Sequence, residues 1–140
     1  MTIQSVMTSK PACCSTSTPL REVAQLMVQH DCGQIPVVDE AGKPVGVITD
    51  RDITTRMVAA GRDTMACCAA DAMSSPAQTV SVDSPLKDAV CLMEASKIRR
   101  VPVVDATGKL TGMVSLADLA LSGKDEATME VVKEVSAPTR

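Results

Sequence analysis

Two seven-residue segments of this 140-residue chain share one pattern: a glycine, two apolar residues, a hydroxyl, two more residues and an aspartate. They are Gly46-Val47-Ile48-Thr49-Asp50-Arg51-Asp52 and Gly112-Met113-Val114-Ser115-Leu116-Ala117-Asp118. In each, an apolar run precedes the hydroxyl and a helical pattern follows, so Thr49 and Ser115 stand where a strand enters a helix. The free N–H groups of a helix start, with the positive end of its dipole, favour phosphate there. The aspartate three residues on lies one turn away, on the same side. Its carboxylate can accept two hydrogen bonds from a vicinal diol such as a ribose presents, each worth about 1.5–3 kcal/mol when charge-assisted. The same spacing also describes a capping box, in which hydroxyl and carboxylate merely satisfy helix-start amides. A single copy would favour the cap. Two copies in register favour a ligand.

The elements that must position these groups are duplicated with them. Residues 18–53 return at 84–119 with a constant offset of 66, no gap, and 12 of the 36 positions identical. Such regularity points to two copies of one supersecondary unit packed around a pseudo-twofold axis, with a cleft offering two related sites. Each copy reads strand, helix, strand, strand, helix. Residues 12–15 are a short strand candidate. Thr18 is expected to cap a helix with Pro19 at its first position and Glu22 in its first turn. Leu20, Val23, Ala24 and Met27 share one face of it. Ser84, Pro85, Asp88, Leu86, Ala89, Val90 and Met93 repeat the arrangement. Ile35–Asp39 and Val45–Ile48 form a hairpin around Gly42, matched by Val101–Asp105 and Thr111–Val114 around Gly108. The helices after the hydroxyls are expected to run to about Ala60 and Leu121, before Gly61 and Gly123. Residues 62–78 read as a connector with a short strand near Met65–Ala69 and a helical turn near Ala70–Met73. This gives an α+β chain divided into 1–66, 67–124 and a C-terminal helix and tail, 125–140.

Composition narrows the function classes. The chain has no Phe, Tyr or Trp and a formal charge of −3, so it has neither a base-stacking surface nor a basic excess for nucleic acid. Its core must come from aliphatic residues and nine methionines. No apolar leader and no 18-residue apolar run occurs, so the expectation is a cytoplasmic protein without a membrane partner. There its six cysteines, Cys13, Cys14, Cys32, Cys67, Cys68 and Cys91, stay reduced. None forms a C-x-x-C and His30 is the only histidine, so zinc spacings are absent and no metal ligand is assigned. No nucleophile–base pair is recognisable either, and no catalytic residue is assigned.

The order of these pieces, from Val6-Met7-Thr8 and its echo Ala72-Met73-Ser74 through the Pro-Val-Val-Asp hairpins to the hydroxyl–aspartate motifs, resembles a tandem cystathionine-β-synthase (CBS) domain pair, the stand-alone bacterial-type Bateman module. The resemblance covers nearly the whole chain. It implies binding of an adenosine-containing ligand (AMP, ADP, ATP, sometimes NAD or S-adenosylmethionine) in the cleft between repeats. Carried over by position, the first site combines Thr49, Arg51 and Asp52 with Ala77, Gln78, Arg100, Val101 and Pro102. The second combines Ser115 and Asp118 with Pro11, Ala12, Gln34, Ile35, Pro36 and Arg99. Asp52 and Asp118 would take the ribose, Thr49 and Ser115 the phosphate, and backbone near Gln78 or Ala12 the adenine edge. Of the arginines, Arg51 and Arg100 suit phosphate in the first site and Arg99 the second.

The function expected is a non-catalytic regulatory sensor of adenine nucleotide, acting by population shift between arrangements of the repeats. The resemblance also implies a homodimer formed through helices, for which Val58 and Leu121 are spare apolar positions, and a protein target met in trans. Two other readings stand beside it: a redox or metal sensor built on Cys13, Cys14, Cys67 and Cys68, and an interaction scaffold without ligand.

Overall fold

A computed structural model describes residues 2–121 of the chain. In chain order its elements are α1 (Ile3–Val6), β1 (Thr8–Ser9), β2 (Cys14–Ser15), α2 (Leu20–His30), β3 (Gln34–Val38), β4 (Pro44–Thr49) and α3 (Asp50–Asp52). A π-helical segment (Ile53–Val58) and a 3₁₀ turn (Thr64–Ala66) follow, then α4 (Ala69–Ala72), β5 (Val80–Ser81), α5 (Leu86–Ser96), β6 (Arg100–Val104), β7 (Leu110–Ser115) and α6 (Leu116–Leu121). The C-terminal helix expected from residue 125 lies outside the described residues.

These elements form two compact units. One is Ala12–Gln78; the other joins the segment ending at Pro11 to the described residues from Thr79 to Leu121. The division differs from a cut at residue 66, because the segment ahead of each copy packs with the opposite copy. Thr8 and Ser9 pair antiparallel with Met113 and Gly112, and Ile3 is fully buried in that unit's core. Residues 67–74 stay with the first copy: Cys67, Ala69 and Ala72 are buried in its core, and Ser74 pairs with Val47.

The unit Ala12–Gln78 carries the sheet β2-β3-β4 and the other unit the sheet β1-β7-β6-β5. The offset seen in sequence is reproduced in hydrogen-bond register. Cys14 pairs parallel with Val37 as Val80 does with Val103, and Gln34 faces Thr49 as Arg100 faces Ser115. Both hairpins turn on an aspartate. Asp39 accepts from the amides of Ala41 (3.0 Å) and Lys43 (2.9 Å), and Asp105 from Thr107 (2.9 Å) and Lys109 (3.1 Å). Gly42 and Gly108 supply the left-handed backbone that closes each turn, at φ 82° and 87°. Core side chains are those the alternation and helical spacing predict: Leu20, Val23, Ile35, Val37 and Ile48 in one unit, and Leu86, Met93, Val101, Val103 and Val114 in the other.

Three local expectations are corrected. Thr18 and Ser84 do not cap their helices; Pro19 and Pro85 occupy the cap position in extended conformation. The Thr18 hydroxyl instead accepts from the Ser15 amide (3.0 Å), and the helix-start amide of Leu20 donates to the Cys67 carbonyl (3.0 Å), so a tertiary acceptor replaces the cap. No strand forms at 65–69. Asp63 accepts from the Met65 amide and Asp71 from the Cys68 amide, turning the run into a 3₁₀ turn and a helix start with one isolated bridge, Pro19 to Cys68. After Asp52 the helix widens to π form, with Thr54 and Thr55 hydroxyls donating to the carbonyls four residues back (3.1 and 2.8 Å).

Candidate functional site

Both hydroxyl–aspartate motifs fold as strand ends running into helix starts, and both close a reciprocal box. The Asp52 amide donates to Thr49 Oγ1 (3.0 Å) while the Thr49 amide donates to Asp52 Oδ2 (2.9 Å). In the other unit the Asp118 amide donates to Ser115 Oγ (3.1 Å) and the Ser115 amide to Asp118 Oδ2 (2.8 Å). The capping role set against ligand binding is therefore present. It leaves capacity unused, because the box engages only Oδ2 of each carboxylate, and four acceptor positions are available on two oxygens. All four residues are partly buried.

The motif glycines have a separate reason. A Cβ on Gly46 would lie 2.8 Å from the Ser74 carbonyl oxygen and 2.9 Å from Met73 Sδ; one on Gly112 would run into Met7 Sδ and sit 3.1 Å from the Thr8 carbonyl oxygen. The echoed Met7-Thr8 and Met73-Ser74 segments thus cross directly over the two glycines. Ser74 is fixed there by Val47, through amide–carbonyl bonds of 2.8 and 3.0 Å.

That crossing brings a residue to Asp52 that sequence reasoning missed. Ser74 Oγ donates to Asp52 Oδ1 (3.3 Å) and, more weakly, Oδ2 (3.5 Å). Arg56 Nε stands 3.8 Å from the same Oδ1, and its Nη1 donates to the Met73 carbonyl (3.1 Å). The Asp52–Arg56 spacing of four was legible in sequence, whereas Ser74, 22 residues away, was not.

The remaining sequence-predicted residues divide between the units. Ala77, Gln78, Ala12, Gln34, Ile35 and Pro36 lie in the unit of Thr49, Arg51 and Asp52. Pro11, Arg99, Arg100, Val101 and Pro102 lie in the unit of Ser115 and Asp118. Ile35 and Val101 are fully buried core side chains, so only their backbone could meet a ligand. Gln34 is buried at the start of β3, opposite Thr49, and its Oε1 has no hydrogen-bond partner. Arg51 and Arg99 are exposed and Arg100 half-buried. Among the described residues the ion pairs are Arg56–Asp52 and Arg62–Asp71, so these three cations hold no carboxylate.

The cysteines are free thiols of contrasting exposure: Cys13 and Cys91 are exposed, Cys14 and Cys67 buried. Burial pushes the Cys14 thiol up to about 12, so it is neutral and unreactive near pH 7. Among the described residues no three His, Cys, Asp or Glu side chains come together as a metal-holding group. No helix among them is long and apolar enough to cross a membrane.

The CBS domain profile matches the chain twice, over residues 3–59 and 69–123. The chain is 39% identical over 120 residues to the CBS domain-containing protein YhcV of Bacillus subtilis, covering 86% of this chain and 84% of that one. It is 40% identical over 98 residues to the uncharacterized protein MK0525 of Methanopyrus kandleri, covering 70% of this chain, which spans half the length of that relative. Among solved structures, Hypoxic Response Protein I with two coordinated zinc ions aligns with a TM-score of 0.80 at 30% identity, covering 86% of this chain and 98% of that one. CBSX2 of Arabidopsis thaliana in complex with AMP aligns with a TM-score of 0.77 at 25% identity, covering 86% and 95%. The chain belongs to the CBS domain family, as a tandem pair of CBS repeats with the mixed α+β fold of its structural neighbours.

Proposed function

We propose that this CBS pair is a non-catalytic regulatory module that binds an adenine nucleotide, AMP, ADP, ATP or NAD, through its hydroxyl–aspartate motifs. Asp52 and Asp118 accept the ribose diol, and Thr49 and Ser115 face the phosphate with the helix-start amides behind them. The observation that carries the reading is the shared box geometry, which fixes each carboxylate at a helix start while engaging Oδ2 alone. The AMP complex of the neighbour CBSX2 supports adenosine as the ligand class. Arg51, Arg99 and Arg100, which pair with no carboxylate among the described residues, are the cations offered to phosphate, and backbone near Ala77, Gln78, Pro11 and Ala12 is offered to the base. Exposed Val58 and Leu121 are offered to a second copy, and the bound state is passed to a protein target in trans.

The test is calorimetric titration of native protein with AMP, ADP, ATP and NAD. Saturable binding of at least one, lost when the base is replaced by a non-purine, fits the proposal. No binding by any of the four leaves the scaffold reading in its place.

A further inference from the structure

We infer that Ser74 and Arg56 are specificity-determining residues of the Asp52 motif: they compete with the ribose diol for the Asp52 carboxylate and make this motif the weaker diol acceptor of the two. The inference rests on the diol reading of Asp52 and adds what controls it.

The acceptor positions decide the matter. Asp52 Oδ2 takes the Thr49 amide, while Oδ1 faces the Ser74 hydroxyl and the Arg56 guanidinium. Two hydrogen-bond donors, the Thr49 amide and the Ser74 hydroxyl, already occupy a carboxylate with four acceptor positions, and the Arg56 cation lies at ion-pair distance from Oδ1. A vicinal diol adds two donors, which fills every position and crowds Oδ1, where Ser74 and Arg56 both stand. Neither is strongly held: the Ser74 bond is long at 3.3 Å, and Arg56, 51% exposed, stands 3.8 Å away. Both can be displaced, at a cost in affinity.

Among the described residues the other motif shows no such arrangement. By the offset of 66 the residue matching Ser74 is Thr8, which is exposed, and the residue matching Arg56 is Ser122, which cannot pair with a carboxylate as a cation. Among the described residues nothing donates to Asp118 Oδ1, so its box leaves that oxygen open. The two copies, alike in backbone, therefore differ at the one group that would recognise a sugar. Arg56 also reaches the Met73 carbonyl, and Ser74 is three residues from Ala77. A diol that displaces them loosens the side-chain ties of the very stretch assigned to the base.

The experiment isolates the first motif in an Asp118→Asn background and titrates AMP and 2′,3′-dideoxy-AMP. Ser74→Ala keeps both backbone bonds to Val47, so the fold is retained. It is expected to tighten AMP about two- to tenfold, the range of one net hydrogen bond. The dideoxy compound, which needs no acceptor, should move less than about twofold, and Arg56→Gln should shift AMP in the same direction by a smaller factor. Equal shifts for both nucleotides would mean a general structural role and overturn the inference, as would weaker AMP binding by Ser74→Ala. If native protein binds another of the four nucleotides in place of AMP, that nucleotide and its 2′,3′-dideoxy analogue are the titrants; failure to bind any of the four is a distinct outcome. It removes the nucleotide reading and the competition with it.

Discussion

Replacing Gly46 with alanine tests the packing that brings Ser74 to Asp52. The added methyl would meet the Ser74 carbonyl oxygen at 2.8 Å and Met73 Sδ at 2.9 Å. The thioether can rotate away; the carbonyl cannot, because it accepts the Val47 amide at 3.0 Å. Strand and crossing segment must therefore separate, an overpacking strain of about 1–3 kcal/mol. Restricting the unfolded chain offsets about 0.4–1 kcal/mol of this, since Gly46 does not occupy the left-handed region. The net loss expected is about 1–2 kcal/mol, or roughly 3–10 °C in Tm for a chain of this size. In Gly112→Ala the nearest atom is the mobile Met7 Sδ, and the Thr8 carbonyl lies farther, at 3.1 Å, so the loss should be smaller. Urea denaturation of the two variants beside native protein gives the ranking. Gly46→Ala as stable as native, or more stable than Gly112→Ala, would refute the close crossing.

Thiol labelling at pH 8 should modify Cys13 and Cys91 quickly and leave Cys14 untouched until the protein unfolds; early modification of Cys14 on peptide mapping would contradict its burial. The raised Cys14 pKa also means that its contribution to stability is complete below the ordinary value of 9.0 and is lost as pH rises from there towards about 12. Asp71, first through the Cys68 amide, and Asp105, first through the Thr107 hydroxyl, are held below the ordinary 3.8. Their stabilisation is present above that pH and disappears as pH falls through the depressed values, so Asp105→Asn should lower Tm slightly at pH 7 and match native protein in acid, flattening the acid limb of a Tm–pH curve. Val58→Glu and Leu121→Glu, at exposed positions, should leave the fold intact and shift sedimentation from dimer to monomer; an unchanged sedimentation coefficient would argue against those faces.

The sequence was most readable where structure is local. The hairpins follow from β-branched runs around Asp39-x-x-Gly42 and Asp105-x-x-Gly108, whose aspartates and positive-φ glycines act within five residues. The boxes at Thr49 and Ser115 were readable for the same reason. Where the outcome depended on a distant partner, the reading failed. Thr18 has the makings of a cap, but the Cys67 carbonyl, 47 residues from Leu20, supplies the acceptor outside the helix for the Leu20 amide. The apolar run at Met65–Ala69 looked like a strand, yet Asp63 and Asp71 capture its amides. The echo Met7-Thr8 and Met73-Ser74 was visible as a repeat, but its two-residue contacts across Gly112 and Gly46 carry too little periodic signal to show which sheet each joins. The candidate site was legible in the same measure: the local hydroxyl–aspartate boxes and the Asp52–Arg56 spacing could be read, and the Ser74 hydroxyl, brought to Asp52 from 22 residues away, could not.

The central claim is that the two carboxylates recognise a ribose. The direct measurement is equilibrium binding of the preferred nucleotide to native protein and to Asp52→Asn, Asp118→Asn, which keeps a cap acceptor for the Thr49 and Ser115 amides while removing the charge. The double variant should bind at least about tenfold more weakly, each lost charge-assisted bond accounting for about 1.5–3 kcal/mol, and should no longer discriminate the parent nucleotide from its 2′,3′-dideoxy analogue. Its ligand-free Tm should stay within a few degrees of native. Unchanged affinity, with the diol preference intact, would reduce Asp52 and Asp118 to helix caps.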